Sequence, residues 1–331
     1  MHRMMIASLL LFLFVAPAPA DQSVTLYLNW KPGPEHIPLF YAEKGGLYEQ
    51  EGVHVNIEPG TGSGNTLREV AKDPASMGVA DFQAVLATRS KGIDVIAVMK
   101  LLSNSPYTFY WLKSSGIRSI HDFSGKRIGA EERDSARLLW RALAKGKGID
   151  PQSVIWVNVS NNAKVDALRS GAIDIAVNAF PDSFRFYPEA FGDDLAQLAW
   201  RDAGLNLYNL SLVAPTALVR DNPALVRAVV KATQRAVAAC LADGAPCIDA
   251  LTESYPTLKR DEELSNWRWT AGLFQNTQQA SLPLGAFDSS RVRRDFEVAR
   301  ELQGLEPGFD SSTAIDNTFL DASIRPLSEK R

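Results

Sequence analysis

Residues 24–57, VTLYLNWKPGPEHIPLFYAEKGGLYEQEGVHVNI, decide the fold. The run Val24–Asn29 predicts a strand, and Val53–Ile57 alternates as a second strand. Between them, Glu35–Gln50 predicts a helix with a break at Gly45 and Gly46. This order of strand, helix and strand is typical of α/β domains with mostly parallel sheets. The chain is therefore predicted to be an α/β protein.

The same alternation continues to about residue 100. Helices are predicted over Thr66–Lys72 and Phe82–Ser90, with Asp81 as the N-cap of the second. Strands are predicted over Met77–Ala80 and Asp94–Met99. One compact unit thus fills residues 24–100.

A second α/β unit lies between two long β-prone runs, Tyr107–Leu112 and Asn206–Val213. Its predicted elements are the strands Arg127–Gly129, Val154–Val159 and Ile173–Val177 and the helices Ser135–Lys147 and Lys164–Ser170. The two runs predict paired crossovers between two lobes, near 105–112 and 206–213. We therefore assign residues 21–106 and 209–331 to lobe 1 and residues 107–208 to lobe 2, with a hinged cleft between them. The remainder of lobe 1 is predicted to be helical over Ala224–Leu241, Asp261–Gln279 and Ser290–Leu302.

The first twenty residues, MHRMMIASLLLFLFVAPAPA, have the pattern of a secretory signal peptide. Arg3 precedes the apolar stretch Ile6–Val15, which is too short to cross a bilayer. Ala18 and Ala20 supply the small residues of a cleavage site before Asp21. We expect an exported protein that is cleaved after Ala20.

Composition excludes several classes of function. The 331 residues include 35 basic and 38 acidic residues, a net charge of −3, and loss of Arg3 with the leader makes it −4 (34 minus 38). A mildly acidic surface argues against nucleic-acid binding, which needs a basic face. The length after cleavage suits two domains of ordinary size.

The two cysteines, Cys240 and Cys247, are predicted to form a disulfide because the protein is exported. No metal site is expected, since neither His nor acidic partners lie at ligand spacing nearby. His36, His54 and His121 are the histidines that follow the leader, and the sequence contains no GxSxG, HExxH, CxxC or GxxxxGK[ST] pattern. We therefore predict no catalytic residues and no cofactor.

Binding residues are expected where predicted strands end and helices begin, because ligands bind there in α/β folds. Trp30 is a candidate for stacking on a flat ligand, and the alternative is that its ring covers the edge of the core. Asp81 is either a ligand contact or only the N-cap of its helix. The glycine-rich turn Gly60–Gly64 offers backbone amides to a polar group or is a plain turn. The full predicted set is Asn29, Trp30, His36, Thr61, Ser63, Asp81, Phe82, Ser105, Tyr107, Glu131, Ser135, Asn178, Asp182 and Tyr208.

These residues carry a resemblance to the NMT1/THI5-like group of periplasmic solute-binding proteins. Its opening pattern is similar to residues 30–52, where Trp30, Pro32, His36, Pro38, Ala42, Gly46, Tyr48 and Gly52 match. Ile120–Gly129 resembles the segment that opens the family's second lobe, and Gly171–Ala176 resembles one near that lobe's end. Phe319 and Leu320 are similar to its C-terminal pair.

The resemblance implies a type II periplasmic binding protein fold, with two Rossmann-like lobes, mixed sheets and a hinged cleft. It also implies a monomer that delivers a small molecule to an ABC permease in the inner membrane. Yeast-type pyrimidine synthases of the same fold carry a CCCFC motif, which this chain lacks. On that ground we expect a binding protein and not an enzyme.

The aromatic candidates Trp30, Phe82, Tyr107, Phe180 and Tyr208 favour a flat heterocycle, with a thiamine pyrimidine precursor first. Riboflavin is the next choice. Aliphatic sulfonates, taurine or nitrate would need a basic residue such as Lys31 or Arg133. Two further alternatives remain open, a periplasmic sensor subunit and an exported enzyme that uses Asp81 or Glu131 for acid–base chemistry.

Overall fold

Two five-stranded sheets form the centres of two lobes in the computed structural model, which describes residues 22–132, 134–275, 281–306 and 308–326. The first sheet has the order β2-β1-β3-β10-β4 and the second has the order β7-β6-β8-β5-β9. The strands are β1 Gln22–Tyr27, β2 Val53–Glu58, β3 Ser76–Asp81, β4 Val95–Lys100, β5 Thr108–Leu112, β6 Arg127–Ala130, β7 Ile155–Asn158, β8 Ile175–Asn178, β9 Leu195–Ala199 and β10 Leu210–Pro215.

The helices cover both sheets, as the alternating sequence pattern predicts. They are α1 Ile37–Lys44, α2 Leu47–Gln50, α3 Ser63–Lys72, α4 Phe82–Ser90, α5 Ser135–Gly146, α6 Lys164–Arg169, α7 Phe186–Phe191, α8 Thr216–Asp221, α9 Pro223–Ala242, α10 Ala245–Ser254, α11 Arg260–Phe274 and α12 Ser289–Gln303. Short 3-10 turns at Pro34–His36 and Pro181–Ser183 face each other from the two lobes and also touch α11.

Both sheets are mixed, which confirms the predicted fold class. β1 pairs in parallel with β2 and β3, and β6 pairs in parallel with β7 and β8. β10 is antiparallel to β3 and β4, and β5 is antiparallel to β8 and β9. The strands that follow the crossovers are therefore the antiparallel ones. The lobe boundaries at 106/107 and 208/209 stay predictions.

Some predicted bounds differ from the structure. The run Asn206–Val213 does not begin as a strand, because the backbone N–H of Tyr208 donates to Asp295 Oδ2 at 2.8 Å instead of to a sheet neighbour. The strand β9 and the helices α7, α8 and α10 were not predicted as separate elements. Helix α11 ends at Phe274, short of the predicted Gln279, and residues 276–280 lie outside the described part of the chain. The predicted leader, residues 1–20, also lies outside it, so cleavage after Ala20 stays a prediction.

The predicted disulfide is present. Cys240 in the last turns of α9 is bonded to Cys247 in α10, with 5.8 Å between their Cα atoms. Both residues are buried against the core of the first lobe, which includes Phe40 and Trp267. The bridge therefore fixes the sharp turn between the two helices. Within the described residues, no helix is long and apolar enough to cross a membrane.

Candidate ligand-binding cleft

Two adjoining cavities lie where the lobes meet. The front chamber has a volume of about 210 Å³, and the rear chamber has a volume of about 300 Å³. Asp81, Tyr107 and Asn209 line both chambers, so they form the boundary between them. A larger groove of about 450 Å³ beside α12 lies behind Tyr208 and shares none of these three residues.

The turn after β1 projects Trp30 into the front chamber. The backbone N–H of Gly60 donates to Trp30 O at 3.0 Å, and the N–H of Gly62 donates to Asn29 O at 2.7 Å. A Cβ on Gly60 would lie 1.9 Å from Leu28 O, so only glycine permits this approach of the two turns. Trp30 is 43% exposed although its backbone is fixed in this way. Its ring is therefore available to a ligand.

His36 orients the side chain of Asn29. His36 Nε2 lies 2.8 Å from Asn29 Oδ1, and His36 is completely buried. Burial lowers the pKa of His36 to about 3, so the imidazole is neutral at physiological pH. Because an amide oxygen only accepts, the imidazole donates from Nε2 to Asn29 Oδ1. This bond leaves the amide N–H groups of Asn29 for the chamber.

Asp81 caps the start of α4, as its N-cap alternative predicted. Its Oδ1 accepts the backbone N–H groups of Gln83 and Ala84, and its Oδ2 accepts from Asn209 Nδ2 at 2.7 Å. Burial raises the pKa of Asp81 to about 6 against the lowering effect of these bonds. Asp81 therefore acts mainly as a structural group that orients Asn209, and the Asn209 amide oxygen remains for the cleft.

Three carboxyl groups meet beside the front chamber. Glu35 lines it from the first lobe, Asp182 comes from the second lobe, and Glu263 lies on α11. Burial and the proximity of the other two carboxylates raise the pKa of Glu35 to about 8, and burial and Asp182 raise that of Glu263 to about 7. The pKa of Asp182 is also raised, by desolvation. This corner of the cleft therefore holds protons at neutral pH, and a protonated carboxyl group can both donate and accept a hydrogen bond.

The structure brings eight of the predicted site residues together. They line one chamber or both, and they are Asn29, Trp30, Ser63, Asp81, Ser105, Tyr107, Ser135 and Tyr208. Phe180, the aromatic residue after β8, lines the front chamber from the second lobe and is 39% exposed.

Six predicted residues line neither chamber. His36 lies behind Asn29, and Phe82 is buried in the core edge-on to Tyr208. Thr61 is exposed and accepts from the side chain of Asn65. Two are engaged within the second lobe, where Glu131 accepts from Asn161 N and Asn178 is bonded to Ser183. The last, Asp182, belongs to the cluster of three carboxyl groups described above.

Sequence reasoning missed four polar residues that line the cleft: Glu35, Gln83, Asn209 and Gln303. Gln83 comes two residues after Asp81 at a predicted helix start, and Asn209 is a polar residue inside a β-prone run. Both positions could therefore have been predicted as cleft residues from the sequence. Gln303 could not, since it ends a helix that is remote from the other residues in sequence.

No Lys or Arg lines either chamber in the part of the chain that the structure describes. Lys31 is exposed and lies outside the chamber walls, and Arg133 falls outside the described residues. The described residues also contain no group of three or more His, Cys, Asp or Glu side chains that is arranged to hold a metal ion.

The family model described as NMT1/THI5 like matches residues 33–245, which is more than half of the chain. The chain belongs to the NMT1/THI5-like family. A relative of this NMT1/THI5-like protein in Legionella pneumophila is 26% identical over 92% of this chain and 95% of its own length, and is named 4-amino-5-hydroxymethyl-2-methylpyrimidine phosphate synthase. The riboflavin-binding protein RibY of Chloroflexus aurantiacus is 27% identical over 92% of this chain and 89% of its own.

The solved structure of the periplasmic aliphatic sulphonate binding protein SsuA from Escherichia coli has the same fold. It is 14% identical to this chain, with a TM-score of 0.69, and the match covers 94% of this chain and 97% of SsuA. The fold is thus the periplasmic-binding-protein fold of ABC importers.

The expectation that this chain is not an enzyme is wrong. The Legionella pneumophila relative, which matches nearly the whole chain, is named a synthase. Yeast relatives that match shorter stretches have the same name. The expectation rested on the missing cysteine-rich motif. Because binding proteins and synthases share this fold, the absence of that motif does not exclude the enzymatic branch.

Proposed function

We propose that this NMT1/THI5-like protein captures a flat, amino-bearing heterocycle of the pyrimidine type between its lobes, as the substrate-binding component of an ABC importer. One observation carries the proposal: the front chamber combines the exposed rings of Trp30 and Phe180 with the carboxyl group of Glu35, and no described basic residue lines it.

The polar groups of the front chamber match the edge of an aminopyrimidine. Such a ring presents an exocyclic amino group, which donates, beside a ring nitrogen, which accepts. Glu35 accepts a hydrogen bond from the amino group. The side-chain N–H groups of Asn29, which the bond to His36 leaves free, donate to the ring nitrogen. A sulfonate or nitrate ion is bound best by cationic donors, and no described Lys or Arg lines the chamber.

The two exposed rings explain how a flat ligand would favour closure. Trp30 comes from the first lobe and Phe180 from the second, so a ring held between them removes apolar surface of both lobes from water. Closure then costs little beyond the hinge rotation at the crossovers. In this proposal an ABC permease of the inner membrane receives the closed form from the periplasm.

Synthesis of a pyrimidine phosphate is the second candidate function, and the names of the relatives favour it. Riboflavin is the alternative ligand, favoured by the relative named RibY. Pyrimidine capture, pyrimidine phosphate synthesis and riboflavin binding would each put a flat heterocycle in the front chamber. The identity of the ligand and its chemical conversion therefore have to be measured separately.

Calorimetry on the purified protein, unfolded and refolded once to remove carried-over ligand, tests these functions. The panel is 4-amino-5-hydroxymethyl-2-methylpyrimidine, its phosphate, thiamine, riboflavin, ethanesulfonate and nitrate. We expect the pyrimidines to bind and Trp30→Ala to weaken them at least about tenfold, the loss of about one aromatic contact. Ile155→Ala, at an exposed apolar residue that lines neither chamber, is the control.

Mass spectrometry of the same mixtures separates capture from synthesis. A captured ligand returns unchanged in mass and amount, whereas an enzyme that acts on a compound of the panel converts it with time to a product of different mass. Binding of ethanesulfonate or nitrate alone, or an unchanged affinity in Trp30→Ala, would contradict the proposal.

A further inference from the structure

The rear chamber holds a polar group whose hydrogen-bonding capacity is unused. Gln83 is only 8% exposed, and neither its Nε2 nor its Oε1 has a hydrogen-bond partner among the described residues. An unpaired buried amide is costly, so its retention in a chamber wall indicates a partner that arrives from outside. Ser105, Ser135 and Gln303 line the same chamber and add neutral hydroxyl and amide groups.

The chamber spans both lobes. Gln83 lies on α4 of the first lobe, Ser135 begins α5 of the second lobe, and Gln303 ends α12, which packs against both of those helices. Leu138 and Leu139 provide an apolar floor. A ligand group in this chamber therefore touches both lobes, as does the ring in the front chamber.

The electrostatics of the chamber disfavour an anionic group. Helix N-termini attract anions, but both that face this chamber are already capped by a carboxylate. Asp81 accepts the first free N–H groups of α4, and Asp134 accepts the N–H of Ala136 in α5 at 2.9 Å. Asp81 lines the chamber and no described basic residue lies in its wall, so the chamber offers a phosphate no cationic partner.

We propose that the ligand carries a neutral, hydroxyl-bearing substituent on its ring, and that this substituent occupies the rear chamber and bonds to Gln83, Ser105 and Ser135. Amides and hydroxyls beside an apolar floor are the groups that bind a polyol or sugar, which donates and accepts at each hydroxyl. The inference rests on the proposed function, because the substituent is attached to the ring held in the front chamber.

Two series of compounds test the inference by calorimetry at pH 7. Each contains a bare ring, the ring with a hydroxylated substituent, and the phosphorylated form: cytosine, cytidine and cytidine monophosphate, and lumiflavin, riboflavin and flavin mononucleotide. In the series whose bare ring binds, we expect the hydroxylated member to bind at least about tenfold tighter, the effect of roughly two neutral hydrogen bonds. The phosphorylated member should bind more weakly than the hydroxylated one.

Variants locate the effect. In Gln83→Leu the preference for the hydroxylated member should fall to within about threefold, while the bare ring keeps its affinity. Ser135→Ala, at an exposed residue, reports on the same chamber if Gln83→Leu does not fold. Gln197→Ala, on the exposed face of β9, is the matched control and should change nothing.

The outcomes separate this inference from the proposed function. A bare ring that binds as tightly as its hydroxylated form, a phosphorylated member that binds tightest, or an unchanged preference in both variants would overturn the inference alone. If no member of either series binds while the pyrimidines of the first panel do, the inference fails alone. If those pyrimidines do not bind either, the proposed function fails and the inference fails with it.

Discussion

Replacing Glu35 with glutamine should make the protein more stable at neutral and alkaline pH, by an amount that grows with pH. Glu35 is 8% exposed, and its pKa in the folded protein is raised to about 8 from an ordinary value of 4.5. Between these values the folded state keeps a proton on Glu35 that the unfolded state has released. The stability that Glu35 contributes is therefore fully present below pH 4.5 and is lost as the pH rises towards 8.

The magnitude follows from linkage. One proton of difference changes the free energy of unfolding by about 1.4 kcal/mol per pH unit, so between pH 5 and pH 7.5 the wild type loses about 3 kcal/mol through this group. Glutamine has nearly the same shape and does not titrate. The difference in stability between Glu35→Gln and the wild type should thus grow by about 3 kcal/mol over this range, roughly 6 °C in Tm at about 2 °C per kcal/mol.

Urea denaturation and thermal unfolding at pH 5.0, 6.0, 7.0 and 7.5 measure this difference. Glu58→Gln, at the exposed end of β2, removes the same charge outside the cleft and is the control. Parallel pH profiles for the wild type and Glu35→Gln would refute the reasoning, since they would mean that Glu35 titrates alike in both states. A difference equal to that of Glu58→Gln would show an effect of net charge only.

Three further outcomes are expected. Replacing Cys240 and Cys247 with serine should lower stability by about 2–3 kcal/mol, as judged by urea denaturation, because the bridge closes a loop with a sequence separation of 7. Gly60→Ala should destabilise by about 2 kcal/mol or more in the same assay, because its Cβ would meet Leu28 O, whereas Gly64→Ala has nothing within 4 Å and should be nearly neutral. His36→Leu should weaken ring binding about fivefold or more in calorimetry, since Asn29 loses the bond that orients it, and His54→Leu, at an exposed histidine, should not.

Local patterns in the sequence were sufficient to predict much of the fold. The run Val24–Asn29 and the alternation Val53–Ile57 gave β1 and β2 to within two residues, and Asp81 marked the start of α4 correctly. Trp30 was predicted from its place after a strand, because the carboxyl ends of neighbouring parallel strands meet at one edge, and Tyr107 from its place at a crossover; both line the front chamber. Their role in ligand binding stays a prediction. Element bounds failed where a tertiary bond replaced a sheet bond, as at Tyr208.

The chemistry of the cleft depended on contacts between residues that are distant in sequence. Nothing local to Glu35 indicates that it is buried or that Asp182 and Glu263 lie beside it, and burial first, then these two neighbours, raise its pKa. The sequence by itself determined the alternation of strands and helices, the two lobes and the paired cysteines, because these follow from periodicity and from short-range stereochemistry. The tertiary structure alone decided which polar groups face the chambers with hydrogen bonds to spare, because burial and pairing are set by the packing of both lobes together.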